Sequence, residues 1–228
     1  MAAALAGSGI SVSNASLTTA SNTAAGTFTN GASTVGFDSG IVLTTGTVDC
    51  IAGPNTQTNC SGAGTTTSLA FDFISQTGKV FFQYVFGSEE YNEYVGSQYN
   101  DEFQLLLNGV NIALLPGNAG VVSINNVNCA SNAAYYRNNS NGSCANQALN
   151  IQYDGLTTIL TASADVMAGM VNRFEFLIFD RGDTAYDSGV FIKAGSFSGT
   201  NPVPLPGTLV LLGAGLLALG AVRRKLSN

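Results

Sequence analysis

Apolar and polar residues alternate in short runs along most of the chain, and Gly, Asn, Ser and Thr separate the runs. That period of two belongs to half-buried strands, with turn-forming residues between them. Ile10 and Val12 alternate, Phe28 follows, and Val35 to Thr47 is punctuated by Gly36, Gly40 and Gly46. Leu69, Phe71 and Phe73 then alternate with Ala70, Asp72 and Ile74. The stretch 79–86, KVFFQYVF, breaks the alternation with aromatic and β-branched residues throughout, as expected of a central strand buried on both faces. Residues 103–115 place Asn108-Gly109 between two apolar arms, the signature of a hairpin with a type I′ turn. Val121–Ile124, Arg173–Asp180 and Gly189–Ala194 supply further strands, while 156–170 reads either as a short helix or as strand and turn. The pattern predicts an all-β fold, an antiparallel β-sandwich that is jelly-roll-like.

The C-terminal end departs from this pattern. After Asn201 and Pro202 come Pro204-Leu205-Pro206, an uncharged apolar run from Gly207 to Val222, and the basic group Arg223-Arg224-Lys225. The run makes about 24 Å of helix at 1.5 Å per residue, short of a hydrocarbon core of about 30 Å. The Leu205-Pro206 flank and snorkelling basic side chains extend it to a span. The prediction is one C-terminal transmembrane helix over 207–228 with its basic end in the cytoplasm. A Pro-rich linker at 200–206 would join it to a β-sandwich surface domain over 1–199. The tail resembles the PEP-CTERM sorting signal of exopolysaccharide-producing Gram-negative bacteria, a Pro-Glu-Pro motif followed by a short apolar helix and an Arg-rich end. That resemblance implies handling by an exosortase-like processing enzyme, with Pro204, Leu205, Pro206, Arg223 and Arg224 as the motif. Leu205 stands where the motif has Glu, which bears on cleavage more than on membrane placement.

Composition fits a life outside the cytoplasm. Charged residues are only 10% of the chain, against roughly one quarter in typical soluble domains. Three of the eight basic residues sit at the C-terminal end, so the remaining five face all fourteen acids. So acidic a surface excludes nucleic acid as a partner, because binding there rests on neutralising phosphates. Four cysteines fall in two local pairs, Cys50 with Cys60 and Cys129 with Cys144, each bracketing a polar stretch. Three connectivities exist, and local pairing is the simplest, each bridge contributing about 2–3 kcal/mol. Zinc is the rival reading, but its usual spacing is absent and so is histidine. Disulfides place the domain in an oxidising compartment. The start, Met1 to Gly7, lacks the basic region and apolar run of an export signal, so the signal peptide is expected to be missing from this sequence.

The body also carries a resemblance. YVFGSEEYNEYVGSQYNDEF at 84–103, LLNGVNIALLPG at 106–117, VVSINNVN at 121–128, YDGLTTILTASADV at 153–166 and FDRGDTAYDSGVFIKAGSF at 179–197 are similar to the choice-of-anchor L domain family. That family is named for appearing with different surface-anchoring tails. The resemblance implies a location and an architecture, and no catalytic activity. The expected route is export, anchoring in the inner membrane facing the periplasm, then the cell surface or extracellular space.

Acidic residues are few but clustered. Glu89, Glu90, Glu93, Asp101 and Glu102 fall in one expected loop, and Asp180, Asp183 and Asp187 in another. If the loops meet, Glu89, Glu90, Asp101, Asp180, Asp183 and Asp187 form a set of hard oxygen ligands suited to calcium. The alternative is two solvated acidic loops pointing apart. Without histidine there is no Ser-His-Asp or Cys-His catalysis. A glycosidase needs only two carboxylates, which Glu89 or Glu90 with Asp101 or Asp187 would supply, and Tyr91, Tyr94, Tyr99, Tyr135 and Tyr136 would have to replace the missing Trp as sugar platforms. Arg181-Gly182-Asp183 spells an integrin-binding tripeptide, which chance explains. The sequence thus predicts a calcium-stabilised, non-enzymatic structural or adhesive domain of the extracellular matrix or biofilm that binds polysaccharide or a surface protein; the alternative is a carbohydrate-active enzyme.

Overall fold

The computed structural model describes residues 1–202 apart from residues 20, 58, 60–63, 65, 143 and 183. The expected membrane helix at 207–228 and the motif residues Pro204, Leu205, Pro206, Arg223 and Arg224 therefore lie outside the described residues. No helix among the described residues is long and apolar enough to cross a membrane.

Two antiparallel sheets make up the domain. The first contains β1 (Ile10–Thr19), β4 (Thr66–Ser75), β12 (Val171–Phe179), β6 (Glu102–Leu107) and β7 (Val110–Asn111) in that spatial order, with β8 (Val122–Ser123) also pairing β6. The second runs β2 (Ala25–Phe28), β3 (Gly40–Thr44), β13 (Ser188–Lys193), β5 (Lys79–Ser88), β10 (Gly155–Thr157) and β9 (Tyr136–Asn138), with β11 (Leu160–Asp165) pairing β5. Successive long strands β3, β4, β5 and β6 fall alternately in the two sheets. Strands β12 and β13 then return, each between two of the earlier strands of its own sheet. The two antiparallel sheets bear out the expected all-β sandwich. A helical turn at Ala2–Leu5 buries Leu5, and Gly7 N donates to Phe197 O at 2.7 Å, which ties the start of the domain to its end.

The main core lies between the sheets. From the first sheet the alternate residues Phe71 and Phe73, Phe103 and Leu105, and Phe174 and Phe176 point inward. They meet Ile41, Phe82, Tyr84 and Ile192 of the second sheet. Phe73 stacks on Phe174 at 4.8 Å between centroids, and Phe82 meets Phe176 edge-on at 5.3 Å. A smaller core covers the outer face of the second sheet, where Val42, Val85 and Phe191 pack with Val35, Phe37, Ile151 and Tyr153. Strand β5 is thus buried on both sides, which is why its sequence does not alternate. Tyr153 occupies a slot that exists because Gly87 and Gly189 face each other in register: a Cβ on Gly189 would stand 2.3 Å from its hydroxyl. The Asn108-Gly109 turn is present as expected, with φ of 49° and 85°. The segment 156–170 resolves in favour of strand and turn, forming the end of β10 and all of β11.

Candidate functional site

One end of the sandwich collects the acidic residues. Strand β5 ends at Ser88, which pairs with Ser188 at the start of β13, while β6 starts beside the end of β12. The loops that follow β5 and β12 therefore emerge side by side, and the reading of two loops pointing apart is overturned. Glu89 N donates to Asp187 O at 3.0 Å, and Asp187 N donates back to Glu89 Oε2 at 3.2 Å. Asp101 Oδ2 accepts from the Ser188 hydroxyl at 2.6 Å and Oδ1 from Arg181 N at 2.8 Å. Glu89, Asp101 and Asp187 are at most 2% exposed, and Glu90 and Asp180 are buried as well. Asp183 lies outside the described residues.

Burial of carboxylates is costly unless other groups compensate their charge. Asp187 displays this cost. Among the described residues neither of its oxygens finds a hydrogen-bond partner of normal geometry, and burial pushes its acid up to about 6. The Thr45 hydroxyl approaches and offsets part of that effect, but it also serves as acceptor for Ser188 N at 3.0 Å. Gly46 closes over the same carboxylate, where a Cβ would stand 2.0 Å from Asp187 Oδ2. Among the described residues, no three carboxylate or thiol side chains are disposed to hold a metal ion.

Burial also bears on the enzyme alternative. Glu89, Glu90, Asp101 and Asp187, the carboxylates of that alternative, are all buried. Tyr91 and Tyr136 are buried against each other at 4.8 Å. Tyr94 and Tyr99 are partly exposed, and Tyr94 contacts Tyr186 at 5.0 Å.

Beside the acidic cluster, a groove of about 390 Å³ opens at the same end, within the size range of ligand sites. The chain brings it together from five separate segments, including Asn55–Gln57, Glu93, Asn139–Asn141, Asp154 and Tyr186. Its floor is fixed by amides that bond inward. Asn55 Nδ2 bridges Asp154 Oδ1 and Asn139 O, and Asn139 Nδ2 donates to Ile151 O and Tyr153 O at 3.0 and 2.9 Å. Burial raises the Asp154 acid to about 6; the Asn55 bond lowers it in part, and the charge of Glu93 adds to the rise. A disulfide joins Cys129 to Cys144 and braces the segment carrying Asn139–Asn141, with Asn138 Nδ2 donating to Cys144 O at 2.7 Å. Cys50 is also disulfide-bonded, and its expected partner Cys60 lies outside the described residues. Apart from Glu93, the residues that form this groove escaped sequence reasoning. The bracketing of Asn-rich stretches by cysteines was the one signal that pointed to their loops.

A two-sheet sandwich with a disulfide-braced loop end is a domain built for an oxidising, extracytoplasmic setting. The comparison with known families makes this specific. The choice-of-anchor L domain matches residues 1–198, and the PEP-CTERM protein-sorting motif matches residues 202–225. The chain belongs to the choice-of-anchor L domain family and carries a PEP-CTERM sorting tail, the combination of an exported, surface-associated protein whose C-terminus directs membrane anchoring. No curated protein and no solved structure matches it.

Proposed function

We propose that the protein is a surface-anchored adhesive domain of the extracellular matrix, with its loop end binding polysaccharide and calcium stabilising that end. The position of the tail carries this reading. Ser198 pairs with Phe81 near the start of β5, and Thr77 Oγ1 holds Gly199 O at 2.7 Å. The chain therefore leaves the sandwich at the start of β5. The groove and the acidic loops lie beyond Ser88, a strand length of about 30 Å away. An anchor at one end presents the groove at the other, away from the membrane. Both termini of the domain share the anchored end, since Gly199 N donates to Ser8 O at 2.9 Å.

Calcium matches the loop end in donor type, although no three described carboxylates are disposed to hold it. Carboxylates and backbone carbonyls are its preferred ligands, and a cation beside Asp187 would offset the charge that burial makes costly there. Glu89 and Asp101 approach the same stretch of backbone, and Asp183 belongs to the adjoining loop.

The experiment is a titration of the full chain in detergent against an array of bacterial polysaccharides, with calcium and with EDTA, while released reducing sugar is measured in the same wells. Binding without sugar release is the expected result. Sugar release would favour the carbohydrate-active enzyme, and binding only to surface proteins would remove polysaccharide as the partner.

A further inference from the structure

The groove has a charge problem that a ligand would solve. Glu93 and Asp154 both line it, and no lysine or arginine does so among the described residues. The Glu93 carboxylate accepts no hydrogen bond from a described residue, and Asp154 uses only Oδ1, for Asn55. The two acids stand close enough for the charge of Glu93 to oppose ionisation of Asp154. The structural amides Asn55 and Asn139 are committed to the floor, so Glu93, Asp154, Gln57, Asn141 and Tyr186 are left to meet a ligand. Tyr186 holds a left-handed backbone, φ 62°, and its ring rests on Tyr94, which meets Tyr99 edge-on at 5.5 Å. The site thus combines aromatic surface, amide donors and acceptors, and two carboxylates that no described cation neutralises.

We propose that this groove binds a glycan segment bearing a free amine, a hexosamine whose ammonium lies between Glu93 and Asp154 while its ring packs on Tyr186. The proposal rests on the reading of the loop end as a polysaccharide-binding face. An acidic, cation-free lining repels uronic acids and sulfated sugars by like charge. A neutral sugar brings no counter-charge to the two carboxylates that line the groove. An ammonium satisfies both at once through charge-assisted hydrogen bonds, which are stronger than neutral ones. Ring hydroxyls are left for Gln57 and Asn141, whose side chains are exposed at the rim.

The test is calorimetric titration of the full chain in detergent near neutral pH, above the Asp154 acid at about 6, with short glucosamine oligomers, their N-acetylated counterparts and oligouronides. Glucosamine oligomers should bind about tenfold or more tightly than the acetylated set, the scale of one charge-assisted bond, and more weakly as salt rises. Glu93→Gln should bring the free-amine oligomers down towards the affinity of the acetylated set. Tyr186→Ala should weaken both ligands alike. Equal binding of acetylated and free-amine oligomers would overturn the amine assignment and leave a polysaccharide-binding face intact. Tighter binding of oligouronides would overturn it as well. Binding of none of the three, with calcium uptake lost in Glu93→Gln, would make the groove a cation site and remove the polysaccharide reading with it.

Discussion

EDTA is expected to lower the melting temperature of the protein by about 5–10 °C, and calcium to restore it where magnesium does so poorly. The magnitude follows from linkage: a ligand at a hundredfold excess over its Kd stabilises by about 2.7 kcal/mol. One kcal/mol moves the midpoint of a domain this size by about 2–4 °C. Magnesium demands a tighter octahedral cage and gives up its waters reluctantly. The pH dependence should separate the two states. In EDTA, Asp187 and Asp154 have folded acids near 6, above their unfolded value. The folded state then binds more protons than the unfolded one between those two values. The cost of burying both charges is in full force above about 6, and it is relieved as the pH falls through 6 towards 3.8. Calcium-free protein should therefore gain stability on mild acidification. Calcium-loaded protein should lose it over the same range, because protons displace the metal. Asp72 works in the opposite sense, its acid held low by Asn14 and by Arg173, so its contribution fades only as the pH falls below the ordinary carboxylate range. Differential scanning calorimetry across this range, with metal content measured on the same samples, decides the matter. Identical curves with and without EDTA in metal-free protein would remove calcium from the account.

Replacing Cys129 and Cys144 together by serine should cost about 3 kcal/mol, from the chain entropy regained by an unfolded loop of 15 residues. That is about 6–12 °C in melting temperature. The loss has a functional side, because the bridged segment presents Asn139–Asn141 to the groove. Ligand binding should weaken even at temperatures where the sandwich is intact, since Asn138 would lose the fixed Cys144 carbonyl that it now holds. Denaturant melts and ligand titration of the double variant test both effects. An unchanged midpoint would show that the loop holds its shape without the bridge.

Much of the fold could be read along the chain, because strands and tight turns leave local marks. KVFFQYVF announced a strand buried on two faces, and Asn108-Gly109 its hairpin. Residues 156–170 stayed open between helix and strand because a short apolar run does not distinguish them without its partner, and pairing with β5 decides it. The acidic residues were visible as a cluster, but their burial was not. It depends on the register that sets Ser88 opposite Ser188 and folds Thr45-Gly46 over Asp187. The groove was least visible. Asn55, Asn139, Asp154 and Tyr186 are each unremarkable polar or aromatic loop residues, far apart in sequence. Only the winding of the sandwich brings them to one end.

On the proposed function, the tail holds the sandwich at the cell surface with its loop end outward, to capture polysaccharide. Adhesion of intact cells to a polysaccharide-coated surface tests this most directly, comparing the exported full chain, the same chain lacking residues 203–228, and the full chain with Tyr186→Ala. Cells carrying the full chain should adhere. Cells producing the truncated chain should not, although the protein they release should still bind the coating. The Tyr186→Ala cells should display the protein and adhere poorly. Equal adhesion by all three strains, or none by cells that display the intact chain, would contradict the account.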